Sequence, residues 1–318
     1  PLDTALLPTE IKKIEVTFDY AAPDPSRTPT VRPSVTPSES NIISGKCGES
    51  VYYELNRATG VLRIYGTGEM EDYRYKYDLQ GENTFLEKQA PWIEQGYSSD
   101  IIKVVIEEGV TYIGSSAFSS KHYGNGDACT NIETVDIAQT VSEIGSNAFS
   151  HCVNLKSIII PNQVNTIGSY AFASCSLYNI QWGSSIQKIG CSSFENNNFI
   201  KLDIPKQIQY IGQGAFGGCR VLESVEVPDG CEICYEAFGY CASLESASFG
   251  ENCRIHGKVF WKSPILTDIV IGEGSIGVVD SKHGDDYGVF MGCTGVQTIS
   301  LPDSWEFENE TSGLNAYT

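Results

Sequence analysis

Apolar residues in this chain follow two alternating local rhythms, and the pair of them recurs. One rhythm is L-x-x-I-x-I-P, as in LKSIIIP (155–161), LESVEVP (222–228) and VQTISLP (296–302). Its last apolar positions alternate with polar ones, the period of a strand with one buried face. The other is I-G-x-x-A-F-x-x-C, as in IGSNAFSHC (144–152), IGSYAFASC (167–175) and IGQGAFGGC (211–219). Looser copies start at Ile113, Ile189, Ile233 and Ile255, and a last fragment, VFMGC, spans 289–293. Most copies stand about 22 residues apart, so the chain predicts a solenoid of stacked, equivalent units.

Nine segments align as strands: 101–106, 132–137, 155–160, 177–182, 199–204, 222–227, 244–249, 266–271 and 296–301. A unit of this length is too short for a strand, two turns and a full helix. Each rung is therefore expected to hold one strand, a short helical or 3-10 turn around Ala-Phe, and a return. Phe149, Phe172, Phe194, Phe216 and Phe238 recur on successive rungs and predict a buried aromatic stack. Val51–Leu55 and Val61–Tyr65 flank a turn at Asn56–Gly60 and read as a hairpin that would cover the open end of the solenoid.

With these motifs in view, the chain resembles the BspA-like leucine-rich repeat family of bacterial surface proteins. The resemblance covers about residues 100–302, and the segment 44–73 followed by APW (90–92) is similar to the leader that often precedes such repeats. It implies an α/β leucine-rich repeat solenoid, rich in β structure. The expected form is a single parallel sheet of about nine strands with short helical or 3-10 turns, preceded by a small hairpin cap. The organisation is read as residues 1–41 an N-terminal segment and linker, 42–99 a capping β region, 100–302 the repeats, and 303–318 a tail or cap. Residues 23–40 are rich in Pro, Ser and Thr, as suits an extended spacer. Ile11–Tyr20 has the composition of one strand with no assigned partner.

Composition narrows the functional classes. The 318 residues are 41% hydrophobic and carry a net charge of −19. Such a polyanion repels phosphate backbones, which argues against nucleic acid. The chain holds no run of 18 apolar residues, hence no expected membrane-spanning helix. It begins at Pro1 rather than Met, as removal or omission of a leader would leave it.

The eleven cysteines do not read as a disulfide framework. Cys129, Cys152, Cys175, Cys219, Cys241 and Cys293 share one repeat position, and Asn197 and Ser263 replace cysteine there. That pattern predicts a column of buried thiols. Cys231-x-x-Cys234 has neither a second Cys pair nor a His pair in sequence, so no zinc site is assigned from it. Cys231 and Cys253 are expected to be stacked neighbours. His122, His151, His256 and His283 are the only histidines, and no catalytic motif surrounds any of them. The expectation is a non-enzymatic protein without cofactor or metal.

Binding is expected instead at two places. The first is the outward strand face, where Lys156, Ile159, Tyr178, Ile200 and Lys201 cluster apolar and basic groups on a surface otherwise small, polar or acidic. The second is a pair of insertions that break the period. One carries His122 and Tyr123; the other carries His283, Asp285, Asp286 and Tyr287. The resemblance implies an extracellular, cell-surface or secreted adhesion module for a protein or glycan. The competing expectation is a passive structural spacer or assembly subunit of the cell envelope.

Overall fold

The computed structural model describes residues 41–73, 75–77, 84–86, 88–119, 129–280 and 288–310. The linker, the strand-like segment 11–20 and both insertions that carry His122 and His283 lie outside the described residues.

The chain begins its described course with β1 (Ile42–Lys46), β2 (Val51–Asn56) and β3 (Val61–Gly66), paired antiparallel in that order. The predicted hairpin is thus present. The Asn56 side chain accepts the amides of Ala58 and Thr59, and Gly60 turns the chain at positive φ. β3 then pairs in parallel with Lys103–Ile106 of the first rung, so the hairpin extends the solenoid's sheet across its open end. Short α1 (Pro91–Glu94) brings Trp92 onto the same end.

Each of the nine predicted segments contains a strand: Lys103–Ile106, Thr134–Ile137, Ser157–Ile159, Asn179–Gln181, Lys201–Asp203, Ser224–Val227, Ser246–Phe249, Asp268–Ile271 and Thr298–Ser300. The observed sheet differs from the single one expected. Its hydrogen bonding runs in three stretches, with Ser157–Ile159 and Asn179–Gln181 paired only with each other. There is also a second parallel sheet, of ten strands, in the segment read as a return. Its central members are only two residues long, such as Glu143–Ile144, Thr166–Ile167 and Lys188–Ile189. They pair in register, Ile144 beside Ile167 and Ile167 beside Ile189. Two residues carry too little alternation to read as a strand, and only the stacking of identical rungs makes them one.

The Ala-Phe segment is not helical either. Bonds from Ala148 to Gly145, Ser150 to Asn147 and Cys152 to Phe149 close consecutive turns. Asn147 and His151 take positive φ, 56° and 64°, and the pattern repeats at Tyr170 and Ser174, Ser192 and Asn196, and Gly214 and Gly218. A left-handed conformation costs a side-chain-bearing residue roughly 1–2 kcal/mol. The cost is offset because it turns three amides per rung toward the next. Asn147, Phe149 and His151 donate to the carbonyls of Ser169, Ala171 and Ala173, each at 2.8 Å. Tyr170, Phe172 and Ser174 repeat the set one rung on, to Cys191, Ser193 and Glu195.

Inside these ladders lies the aromatic column. Phe118, Phe149, Phe172, Phe194, Phe216, Phe238 and Phe260 are fully buried. Successive ring centroids from Phe118 to Phe238 stand 4.8, 5.3, 5.4, 5.5 and 5.5 Å apart, with planes within 9° of parallel. Trp92 closes the column, 5.4 Å from Phe118 and 17° from its plane, and its indole N–H donates to the Ala117 carbonyl at 2.9 Å.

The cysteine column has a specific task. Cys175, Cys219 and Cys241 donate to the carbonyls of Phe149, Phe194 and Phe216, at 3.2, 3.5 and 3.5 Å. Asn197 serves the Phe172 carbonyl at 2.8 Å and Ser263 the Phe238 carbonyl at 3.2 Å. The position therefore selects a small hydrogen-bond donor, and that is why Asn and Ser replace Cys there. Burial pushes the Cys175 and Cys219 thiols up to about 12 and keeps them protonated as donors. Cys231 and Cys253 are buried on adjacent rungs, and all eleven cysteines remain as thiols.

Two measurements check this core. Phe194→Ala opens a cavity between two stacked rings and should lower unfolding stability by about 3–5 kcal/mol in a denaturant titration; a loss below about 1 kcal/mol would mean the ring is not in the column. Cys219→Ser keeps the donor and should be nearly neutral, whereas Cys219→Val leaves the Phe194 carbonyl unpaired and should cost about 1–3 kcal/mol. Because these thiols are raised in the folded state, their stabilisation is complete below the ordinary thiol value of 9.0 and is lost as pH climbs from there through about 12. Urea melts in reductant above pH 9.0 should show that decline.

Candidate functional site

The strand face is built by alternation. Along each rung one residue points into the core and its neighbours point outward, as in Ile158 between exposed Ser157 and Ile159. Parallel register then stacks equivalent outward residues into columns. In the column that immediately precedes the strands, Lys156, Tyr178 and Ile200 occupy three successive rungs. The Tyr178 amide donates to the Lys156 carbonyl at 3.0 Å, which fixes their adjacency. Tyr178 is 60% exposed and Ile200 57%. The next rungs place Glu223 and Glu245 in this column.

The other predicted residues join this column only in part. Ile159, also exposed, lies three residues along the strand from Lys156, on the far edge of the same rung. At roughly 3.3 Å per residue that separates them by about 10 Å. Lys201 directly follows Ile200, and its ammonium group pairs with Asp203 at 3.2 Å, so part of its charge is already answered within the rung. Lys156 donates to the Val153 carbonyl at 3.2 Å, in the loop just before it. Val270 is exposed as well, but it is flanked in its column by Ser248 and Ser300. Among the described residues of the central strand face, Lys156, Tyr178 and Ile200 thus place a cation, an aromatic and an aliphatic side chain on three consecutive rungs of one column, between Glu133 and Glu223. They sit on the isolated two-strand stretch and the rung after it.

His122, Tyr123, His283, Asp285, Asp286 and Tyr287 lie outside the described residues.

Two features escaped the sequence reading. A groove of about 800 Å³ opens on the turn face, lined by Tyr170, Glu195, Gly214, Gly218, Arg220 and Tyr240. Gly214 and Gly218 hold both left-handed positions of one rung, and the groove runs past them between Tyr170, two rungs before, and Tyr240, one rung after. The signal was Gly-x-x-Gly-Gly at 214–218, the rung with most glycines, but its meaning depends on knowing that these positions face outward. The second is a cluster of Glu232, Cys234 and His256 on the ten-stranded sheet.

A family model described as BspA type leucine-rich repeat region matches the chain in six copies, over residues 95–176, 123–245 and 165–282, more than half of its length. No curated protein matches the sequence. Among solved structures, a leucine-rich repeat protein from Bacteroides ovatus is 20% identical, with 83% of this chain and 78% of that one covered and a TM-score of 0.43. A leucine-rich repeat protein from Eubacterium ventriosum is 18% identical, covering 87% and 97%, with a TM-score of 0.39. A leucine rich cell surface protein from Faecalibacterium prausnitzii is also 18% identical, covering 85% and 95%, with a TM-score of 0.39.

Proposed function

This chain belongs to the BspA-type leucine-rich repeat family, and from that premise we propose that it is a non-enzymatic recognition module, displayed outside the cell, that binds a protein or glycan through its strand face. The family's repeat is an interaction scaffold. Among the described residues, no helix is long and apolar enough to cross a membrane. The Pro/Ser/Thr-rich stretch at 23–40 suits a spacer that holds a binding surface away from its anchor.

The observation that carries the reading is the column Lys156, Tyr178 and Ile200. The other outward columns of the sheet are mostly small, polar or acidic, with Ile159 and Val270 as isolated apolar exceptions. An aromatic and an aliphatic side chain beside a cation form the usual anchor of an interface. The sheet around it is broad and shallow, a shape for a macromolecule and not for a small substrate.

The test uses the full chain against an array of immobilised extracellular-matrix proteins and glycans. For whichever probe binds, Tyr178→Ala and Ile200→Ser should each weaken binding at least about tenfold, the effect of losing an anchor worth about 1.4 kcal/mol. Neither change should lower the thermal midpoint, because both side chains are more than half exposed. If both variants bind normally and substitutions at His122 or His283 abolish binding, the insertions carry recognition and the strand face is scaffold. If no probe binds at high concentration, the spacer reading takes its place.

A further inference from the structure

We propose that Glu232, Cys234 and His256 form a three-ligand site for a divalent transition-metal ion of the zinc class. One donor atom from each residue lies within 4.8 Å of the others, and among the described residues this is the one group of its kind. The strands that carry them are adjacent and parallel, with Glu232 beside Arg254 and Ile233 beside Ile255. That register puts His256 next to Cys234, while Glu232 and Cys234, two residues apart on one strand, project from the same side. The imidazole Nε2 already stands 2.9 Å from a Glu232 carboxylate oxygen. Both side chains keep partial access to solvent, 15% for His256 and 30% for Glu232, so an ion has a route in.

Packing alone does not account for these residues. Cys234 and His256 occupy the position that is Gly114, Gly145, Gly168, Gly190 and Gly212 in the earlier rungs. A Cβ added at Gly168, Gly190 or Gly212 would come within 2.7 Å of main-chain atoms of the preceding rung. The rung at Cys234 nevertheless keeps the same bond, its amide donating to the Ile211 carbonyl at 2.9 Å as Gly212 donates to Ile189 at 2.9 Å. The chain therefore gives up glycine where glycine fits best. Glycine is replaced at this position in three consecutive rungs, by Cys234, His256 and Val278, and the first two of these carry metal-ligating side chains.

The donor set suits zinc. Thiolate, imidazole and carboxylate are its three protein ligand types, and three protein ligands leave the fourth tetrahedral position to water or a partner group. Ligand separations in a tetrahedral site are about 3.3–3.8 Å by geometry from bonds of 2.0–2.3 Å, so the three donors, within 4.8 Å of one another, would have to draw in by about 1 Å. The Tyr210 hydroxyl, hydrogen-bonded to the Cys234 sulfur, supplies an outer contact that orients a ligand. Arg254, the nearest cation in sequence, is drawn off to Glu308 at 2.6 Å.

The test is a titration of the reduced full chain with Zn²⁺ against a chromophoric chelator, and with Co²⁺ read by absorbance. The expected result is one bound equivalent and a sulfur-to-cobalt charge-transfer band. Replacing both ligands by the repeat's own residue, Cys234→Gly with His256→Gly, should preserve the fold and weaken Zn²⁺ at least about a hundredfold, beyond the 10–100-fold cost of outer-shell changes. Cys175→Ser, three rungs earlier in the donor column, keeps its bond to the Phe149 carbonyl and should leave binding unchanged. Equal binding by wild type and double variant, no binding by wild type, or a cobalt spectrum without the sulfur band would overturn the proposal. Should the double variant lose its circular dichroism signature, Glu232→Gln is read in the same titration, where unchanged affinity is the overturning result.

Discussion

Everything in this molecule depends on one distance, the separation between rungs. Main-chain strands stack at about 4.7–4.9 Å, and stacked aromatic rings of the same rungs sit 4.8–5.5 Å apart between Phe118 and Phe238. Because the two spacings nearly coincide, a phenylalanine in every rung meets its neighbours face to face while the backbone bonds stay short. Neither could hold alone. A two-residue strand such as Thr166–Ile167 has no independent stability, and a column of rings with no backbone frame has no register. A 22-residue repeat supplies both at once, since it returns every group to the same place one rung on.

The same constraint explains residue choices that look arbitrary along the chain. The turn that carries each phenylalanine needs two left-handed residues, and the chain fills them with Asn147, His151, Tyr170 and Ser174 as well as with Gly214 and Gly218. Side-chain-bearing residues are tolerated because three inter-rung amide bonds hold the turn in shape. The phenylalanine carbonyl then points along the stack, and the next rung answers it with a thiol, an amide or a hydroxyl. Cysteine predominates in that column because it is the smallest donor that also behaves as an apolar side chain.

How far this was legible from sequence follows from the same reasoning. The nine front strands, the phenylalanine column and the hairpin at Asn56–Gly60 could be read because each leaves a local signature: alternation, recurrence or a turn residue. The ten-stranded second sheet could not, since Glu143–Ile144 is a strand only by virtue of Tyr112–Ile113 on one side and Thr166–Ile167 on the other. Left-handed turns were hidden for a related reason, because tyrosine and histidine do not announce positive φ. At the candidate face, the column order of Lys156, Tyr178 and Ile200 came directly from the repeat, whereas the distance of Ile159 from them and the Lys201–Asp203 pair required geometry. The Cys231-x-x-Cys234 pair was read correctly for Cys231 but told nothing of the neighbour of Cys234. Cys231 faces the core with Cys253, and the residue that meets Cys234 is His256, one rung away and invisible to any spacing rule that searches within a single stretch.

Repetition also turns departures into information. Each residue in a solenoid has equivalents above and below it, so the packing demand at that position is known from the chain itself. Departures at Asn197 and Ser263 keep the hydrogen bond that cysteine makes, and they are therefore explained by the fold. Departures at Cys234 and His256 put side chains at a position where, in the preceding rungs, a Cβ at Gly190 or Gly212 would crowd the main chain. Tyr178 and Ile200 are more than half exposed, so packing inside the stack does not select them. Substitutions that satisfy packing speak of stability. Those that packing does not select are where a ligand is sought, an ion at Cys234 and His256 and a macromolecule at Tyr178 and Ile200, as proposed above.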